Sequence, residues 1–183
     1  MRKAARGNQF QAPLMSAFRE SFSNRDAKKR VINVIDGEKV LPGRRQQRGS
    51  DEVALKRDLT VDLIALLNTT DLGSSIDLDE FKFVRQSILN FGLYDIAHLT
   101  SEEFGVDAVK DDLHAALMAF EPRLNPETLH IERGESPDDV NQKVRFSVSA
   151  EMLCAPVDVP IDFVAEIEVS SGKVQLTRLP ITV

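Results

Sequence analysis

The sequence predicts an α+β fold: amphipathic helices packed on one face of a small antiparallel sheet, behind a basic N-terminal arm. Three observations predict it. Apolar residues recur every three or four positions up to Phe120, and every second position after Leu124. The change falls at Phe120-Glu121-Pro122-Arg123-Leu124, where a proline interrupts the helical pattern. Charge is divided along the chain: residues 1–50 carry twelve Lys/Arg against four Asp/Glu, and residues 51–183 carry eleven against twenty-five. The expected organisation is an arm over residues 1–49 and an α+β domain over 50–183.

The 183 residues are 42% hydrophobic, which suits a soluble globular protein. No apolar run reaches 18 residues, so no membrane span is predicted. The first residues have charge without an apolar segment behind them, unlike a secretory signal. The one cysteine, Cys154, forms no internal disulfide, and a cytoplasmic location is expected.

Residues 1–12 have no periodicity and are expected to be disordered. Residues 13–22 differ. Pro13 suits a helix start, and Leu14, Met15, Phe18 and Phe22 fall on one face. A helix this short is marginal alone, so its apolar face needs a partner. Its own domain and another protein are both open as that partner. In residues 24–50, Val31, Ile32, Val34 and Ile35 suit a short strand, and the Arg44–Arg48 cluster reads as linker. No aromatic residue interleaves that cluster, so nucleic-acid binding is not expected.

Ser50 is placed to cap a helix carrying Leu55, Leu59, Leu63, Leu66 and Leu67 on its stripe. Asp77 or Asp79 then opens a shorter helix, whose buried face is expected to hold Phe81, Val84 and Ile88, with Leu89 beside them. Gly92 is the expected end of that helix. Thr100 and Glu103 have capping-box spacing. The next helix, over 106–120, presents Val106, Val109, Leu113, Leu117 and Phe120. Pro122 ends it, and an extended backbone there would point Glu121 and Arg123 the same way. Strands follow at 128–133, 143–153, 161–169 and 174–179, with Ser170–Lys173 as a hairpin turn.

Three stretches resemble one family when taken together: RDLTVDLIALLNT (57–69), SILNFGLYDI (87–96) and FEPRL (120–124). With the strand order that follows, the chain over roughly residues 13–180 resembles the baseplate wedge family of contractile injection machines. That family includes a phage tail baseplate protein and the type VI secretion baseplate subunit TssE, and the secretion branch is the more similar. Tyr94 stands where the family usually has proline, Phe91 where it has tyrosine, and Thr70 where it has arginine. The resemblance implies a structural role and no enzyme activity or cofactor. It implies membership of a large hetero-oligomer with other wedge subunits and sheath subunits, as the platform where sheath polymerisation begins. Glu121, Pro122 and Arg123 are implied to contact neighbouring wedge subunits. The sheet edge, near 174–183, is implied to pair with sheath strands, which an open edge can do through its main-chain groups.

Other readings compete. Glu121 and Arg123 can instead form a mutual ion pair that fixes the turn. The family has carried a lysozyme-like label, but a glycosidase needs two carboxyls across a cleft, and Glu121 beside a guanidinium is a poor general acid. A single-partner regulatory adaptor of similar fold is a further alternative. His98, His114 and His130 are sixteen residues apart and share no helical turn, so no metal site is expected. Cys154 reads as a small core residue.

Overall fold

The helical period becomes helix at 52–67 and 103–120, and the alternating period becomes strand after Leu124. The computed structural model describes residues 10, 14–23, 33–35, 38–40, 51–95, 103–134, 143–168 and 171–178. The expectations for residues 1–9 and 11–12, Pro13, Val31, Ile32, the Arg44–Arg48 cluster, Ser50, His98, Thr100, Val169, Ser170 and Leu179 lie outside these residues. The chain divides into two compact units, Met1–Asp58 with Cys154–Val157, and Leu59–Leu153 with Asp158–Val183.

In the first unit, helix α1 (Leu14–Ser23) carries Met15, Phe18 and Phe22 on its surface, 57%, 63% and 87% exposed. The side chain of Leu14 lies outside what is described. Arg19 Nη1 donates to the Asp58 carbonyl at 3.3 Å. Where the sequence predicts one short strand, a two-stranded hairpin forms from β1 (Asn33–Ile35) and β2 (Glu38–Val40), with Val34 opposite Lys39.

Helix α2 (Glu52–Leu67) buries Leu55, Leu59, Leu63, Leu66 and Leu67, the five residues of its predicted stripe. Among the described residues, Asp51 caps it. The Asp51 carboxylate accepts the Ala54 N–H at 2.7 Å, and a negative charge there also suits the helix dipole. At the other end, Thr69 Oγ1 donates to the Ala65 carbonyl, and Asn68 Nδ2 joins its own main-chain N–H on the Ile64 carbonyl.

The helix predicted to open at Asp77 or Asp79 is not formed as expected. Its place is taken by one helical turn, α3 (Lys82–Arg85), between tight turns at Leu72–Ser74 and Ile88–Asn90. Phe81, Ile88 and Leu89 are exposed and Val84 is half-buried, while Leu78 and Leu93 are the buried apolar residues of the segment. The reason is local polar competition. Asp71 accepts the Ser74 N–H, Asn90 Oδ1 accepts the Gly73 N–H, and Ser87 Oγ accepts the Leu89 N–H. Such side-chain bonds offer the backbone an alternative to a regular helix.

Gly92 has a different role from the helix end expected of it. It sits at φ 136°, and a Cβ there would collide with the Thr69 carbonyl. This lets Leu93 exchange main-chain bonds with its neighbours across the loop: its N–H reaches Thr69 at 2.8 Å and its carbonyl takes the Asp71 N–H at 2.9 Å.

Helix α4 (Glu103–Phe120) starts three residues before the predicted stripe and buries Val109, Leu113, Ala116 and Leu117. Phe120 meets Phe91 edge to face, with ring centroids 5.2 Å apart. The second sheet is antiparallel in the order β3 (His130–Arg133), β4 (Lys143–Met152), β5 (Val159–Glu168) and β6 (Val174–Arg178). One face is buried: Ile131, Phe146, Val148, Ala150, Met152, Ile161, Phe163, Ala165, Ile167 and Val174. The register places Phe146 opposite Ala165 and Val148 opposite Phe163, so large and small residues alternate across the pair. Helix α4 lies against β3. On the outer face, Glu166 accepts from Lys143 Nζ at 2.6 Å and from Arg145 Nε at 3.0 Å. The architecture is α+β.

Candidate functional site

The helix-to-sheet corner is where the predicted site residues meet. Pro122 lacks the N–H a further turn would use, and α4 stops at Phe120. The backbone then makes a tight turn rather than an extended segment: the Leu124 N–H bonds the Glu121 carbonyl at 3.1 Å. Proline suits the second position of such a turn. The Arg123 carbonyl accepts the Leu153 N–H at 2.7 Å, and Leu124 pairs antiparallel with Met152. Asn125 N–H bonds the Glu151 carbonyl at 2.8 Å. The corner is thereby fastened to the end of β4.

Glu121 and Arg123 are brought together, but Glu121 is not presented at the surface. It is 5% exposed. Its two carboxylate oxygens accept from Arg123 Nε and Nη2, both at 2.6 Å, and Oε1 also accepts the Arg123 main-chain N–H at 3.3 Å. Arg123 Nη2 donates as well to Asp62 Oδ2 on α2, at 2.7 Å. The bidentate fork is the geometry in which a guanidinium holds a carboxylate best. The hydrogen bonds that Arg123 donates to Glu121 push its guanidinium above its ordinary range; burial opposes this, and the charges of Glu121 and Asp62 add to it. Among the described residues, Arg123 Nη1 has no hydrogen-bond partner, and Pro122 beside it is exposed. Sequence reasoning missed Asp62. Its one signal was a carboxylate beside the buried stripe of α2.

The sheet edge predicted near 174–183 is β6, as far as Arg178; residues 179–183 lie outside those described. The predicted docking helix is α1, with Met15, Phe18 and Phe22 exposed as given above. Among the described residues, no three His, Cys, Asp or Glu side chains are grouped to hold a metal ion, and no helix is long and apolar enough to cross a membrane.

A family model described as "Baseplate wedge protein gp25" matches residues 53–157, more than half of the chain. The match takes in α2, α3, α4, β3, β4 and the whole Glu121–Arg123 corner, and stops before β5 and β6. No curated protein and no solved structure matches the chain. On the extent of the family match, the chain belongs to the baseplate wedge protein gp25 family.

Proposed function

We propose that this protein is the TssE-type baseplate subunit of a type VI secretion machine, joining the baseplate wedge to the sheath and providing the platform for sheath assembly. The family match over residues 53–157 carries the baseplate role. The finer reading rests on three features of the chain. The β6 edge offers main-chain groups to a sheath strand. Helix α1 leaves Met15, Phe18 and Phe22 uncovered, and Phe81, Phe83, Ile88 and Leu89 are uncovered as well, as suits a protein that works inside an assembly. Arg123 has Nη1 left for a wedge subunit's carbonyl or carboxylate, with Glu121 and Asp62 holding the guanidinium in place. The Glu121 carboxylate is buried and doubly held, which is a poor position for the general acid of a muramidase. The subunit acts in the cytoplasm, as a structural part and not as an enzyme.

The test is affinity purification of the tagged protein from its native cell, with mass spectrometry of what stays bound. Several wedge proteins recovered together with sheath subunits is the expected result. A single regulator recovered at one-to-one stoichiometry would replace this reading with the adaptor. Peptidoglycan hydrolysis lost in Glu121→Gln would replace it with the hydrolase.

A further inference from the structure

The β6 edge is not open along its whole length. In an antiparallel pair, alternate residues point their N–H and C=O toward the neighbouring strand, and the residues between point them away. The Glu168 N–H bonds the Lys173 carbonyl at 3.0 Å, which fixes the alternation. Lys173, Gln175 and Thr177 therefore face β5, in register with Glu168, Glu166 and Val164. Val174, Leu176 and Arg178 turn their main-chain groups to the free side.

Val174 is already occupied. Asn68 Nδ2 donates to the Val174 carbonyl at 3.0 Å, and the Val174 N–H donates to Asn68 Oδ1 at 3.1 Å. One side-chain amide thus reproduces the two bonds that a partner strand would make. The partners leave no ambiguity in the amide's orientation, because one group must donate and the other accept. The second Nδ2 hydrogen is held by the Ile64 carbonyl at 3.0 Å, so the amide is anchored to the last turn of α2. Among the described residues, nothing bonds Leu176 or Arg178 on the free side.

We propose that Asn68 is a register stop: a partner strand adds to β6 from Leu176 onward and is excluded from Val174. The inference rests on the reading above that a sheath strand is the occupant. Register matters because a slip of one residue would turn every side chain of the added strand to the opposite face. With pairing confined to Leu176 and Arg178, the residue opposite Leu176 lies on the core side of the sheet, where Val174 and Leu176 lie. The residues opposite Gln175 and Thr177 lie on the outer side. The occupant is an alternating strand, apolar opposite Leu176 and polar beside it. The stop thereby fixes where the first sheath subunit sits relative to α2.

The test is residue-resolved hydrogen exchange on the full chain, alone and bound to the purified sheath subunits of the same machine. In the free protein, the Val174 amide is protected and those of Leu176 and Arg178 exchange quickly. Binding is expected to slow Leu176 and Arg178 at least tenfold and to leave Val174 unchanged. Asn68→Ala is expected to speed Val174 exchange at least tenfold in the free chain, and to let protection spread to Val174 in the complex. If wild-type Val174 exchanges as fast as Leu176 in the free chain, Asn68 is no stop, whatever the partner does. A complex in which protection first arises at Val174 removes the stop and leaves strand addition standing. A complex that protects no β6 amide, or no complex at all, removes strand addition and the stop with it.

Discussion

The Glu121–Arg123 corner and the β6 edge both carry polar groups at the rim of the same sheet, and they treat them oppositely. At the corner, a buried carboxylate, a guanidinium and a second carboxylate satisfy one another inside the chain. At the edge, one main-chain position is closed by Asn68, and among the described residues nothing bonds the next two. A group that must keep its position is saturated internally, because an unpaired buried charge is costly. A group that must accept a partner is left in water, where an unmade hydrogen bond costs little. On the function proposed above, the corner is the fixed part and the edge the receptive part, with Nη1 of Arg123 as an outward offer of the corner.

The contrast is broken most directly at Arg123. Arg123→Ala leaves Glu121 buried without its partner and is expected to cost about 3 kcal/mol. By thermal unfolding that is a fall in Tm of about 6–12 °C for a chain of this size. Replacing both ends, Glu121→Gln with Arg123→Met, removes the charge together with its counter-charge and is expected to recover most of the loss. If the double variant is no more stable than Arg123→Ala, the corner is held by something other than this pair. Wedge binding is to be measured in the double variant, where a loss of assembly cannot be put down to unfolding.

Gly92→Ala comes next. It forces a side chain to φ 136° and against the Thr69 carbonyl, beside the residue that clamps the edge. The expected cost is about 2 kcal/mol. If the clamp depends on that support, Val174 amide exchange will accelerate in this variant. Unchanged exchange would show that the last turn of α2 alone positions Asn68.

Leu176→Pro separates edge from ladder. The nitrogen of Leu176 points away from β5, so proline deletes an outward donor and no bond within the sheet. The stability loss is expected to be about 1 kcal/mol, from the smaller side chain. Sheath binding is expected to disappear. The same substitution at Gln175 would remove a bond to β5 and lower stability further, which makes it the control.

How legible these regions were in the sequence follows from which forces made them. The stripe of α2 was read correctly at all five leucines, because burial of one helical face leaves a period. The alternation of β4 and β5 was equally plain. The segment around Phe81 was misread, because apolar residues at helical spacing predict burial, whereas Asp71, Ser87 and Asn90 had already tied the backbone into turns. That Glu121 and Arg123 adjoin was visible in the order of residues. That Asp62 completes their set was not, since it lies 61 positions upstream of Arg123 and only the tertiary fold joins them. Asn68 stood within a quoted motif, but nothing local indicated that its amide would pair with a strand 106 positions away.

The smallest effect is expected at Asp112, where like charges meet instead of opposite ones. Burial on α4 raises its carboxyl pKa, with Asp71 and Asp111 adding to the shift. A carboxyl whose pKa is raised by folding is easier to ionise in the unfolded chain. Its ionisation therefore favours unfolding. That penalty is absent at acid pH, below the unfolded pKa, where both states are protonated. It grows as pH rises and is complete above the folded pKa. Asp112→Asn is accordingly expected to raise Tm at pH 7 by about 2 °C, a figure kept small because Asp112 is only partly buried. The gain should vanish in strongly acidic buffer. Added salt should remove the part due to Asp71 and Asp111 and leave the part due to burial. A gain that persisted at acid pH would assign the effect to the amide's own contacts, and Asp112 would cease to be the electrostatic opposite of the corner.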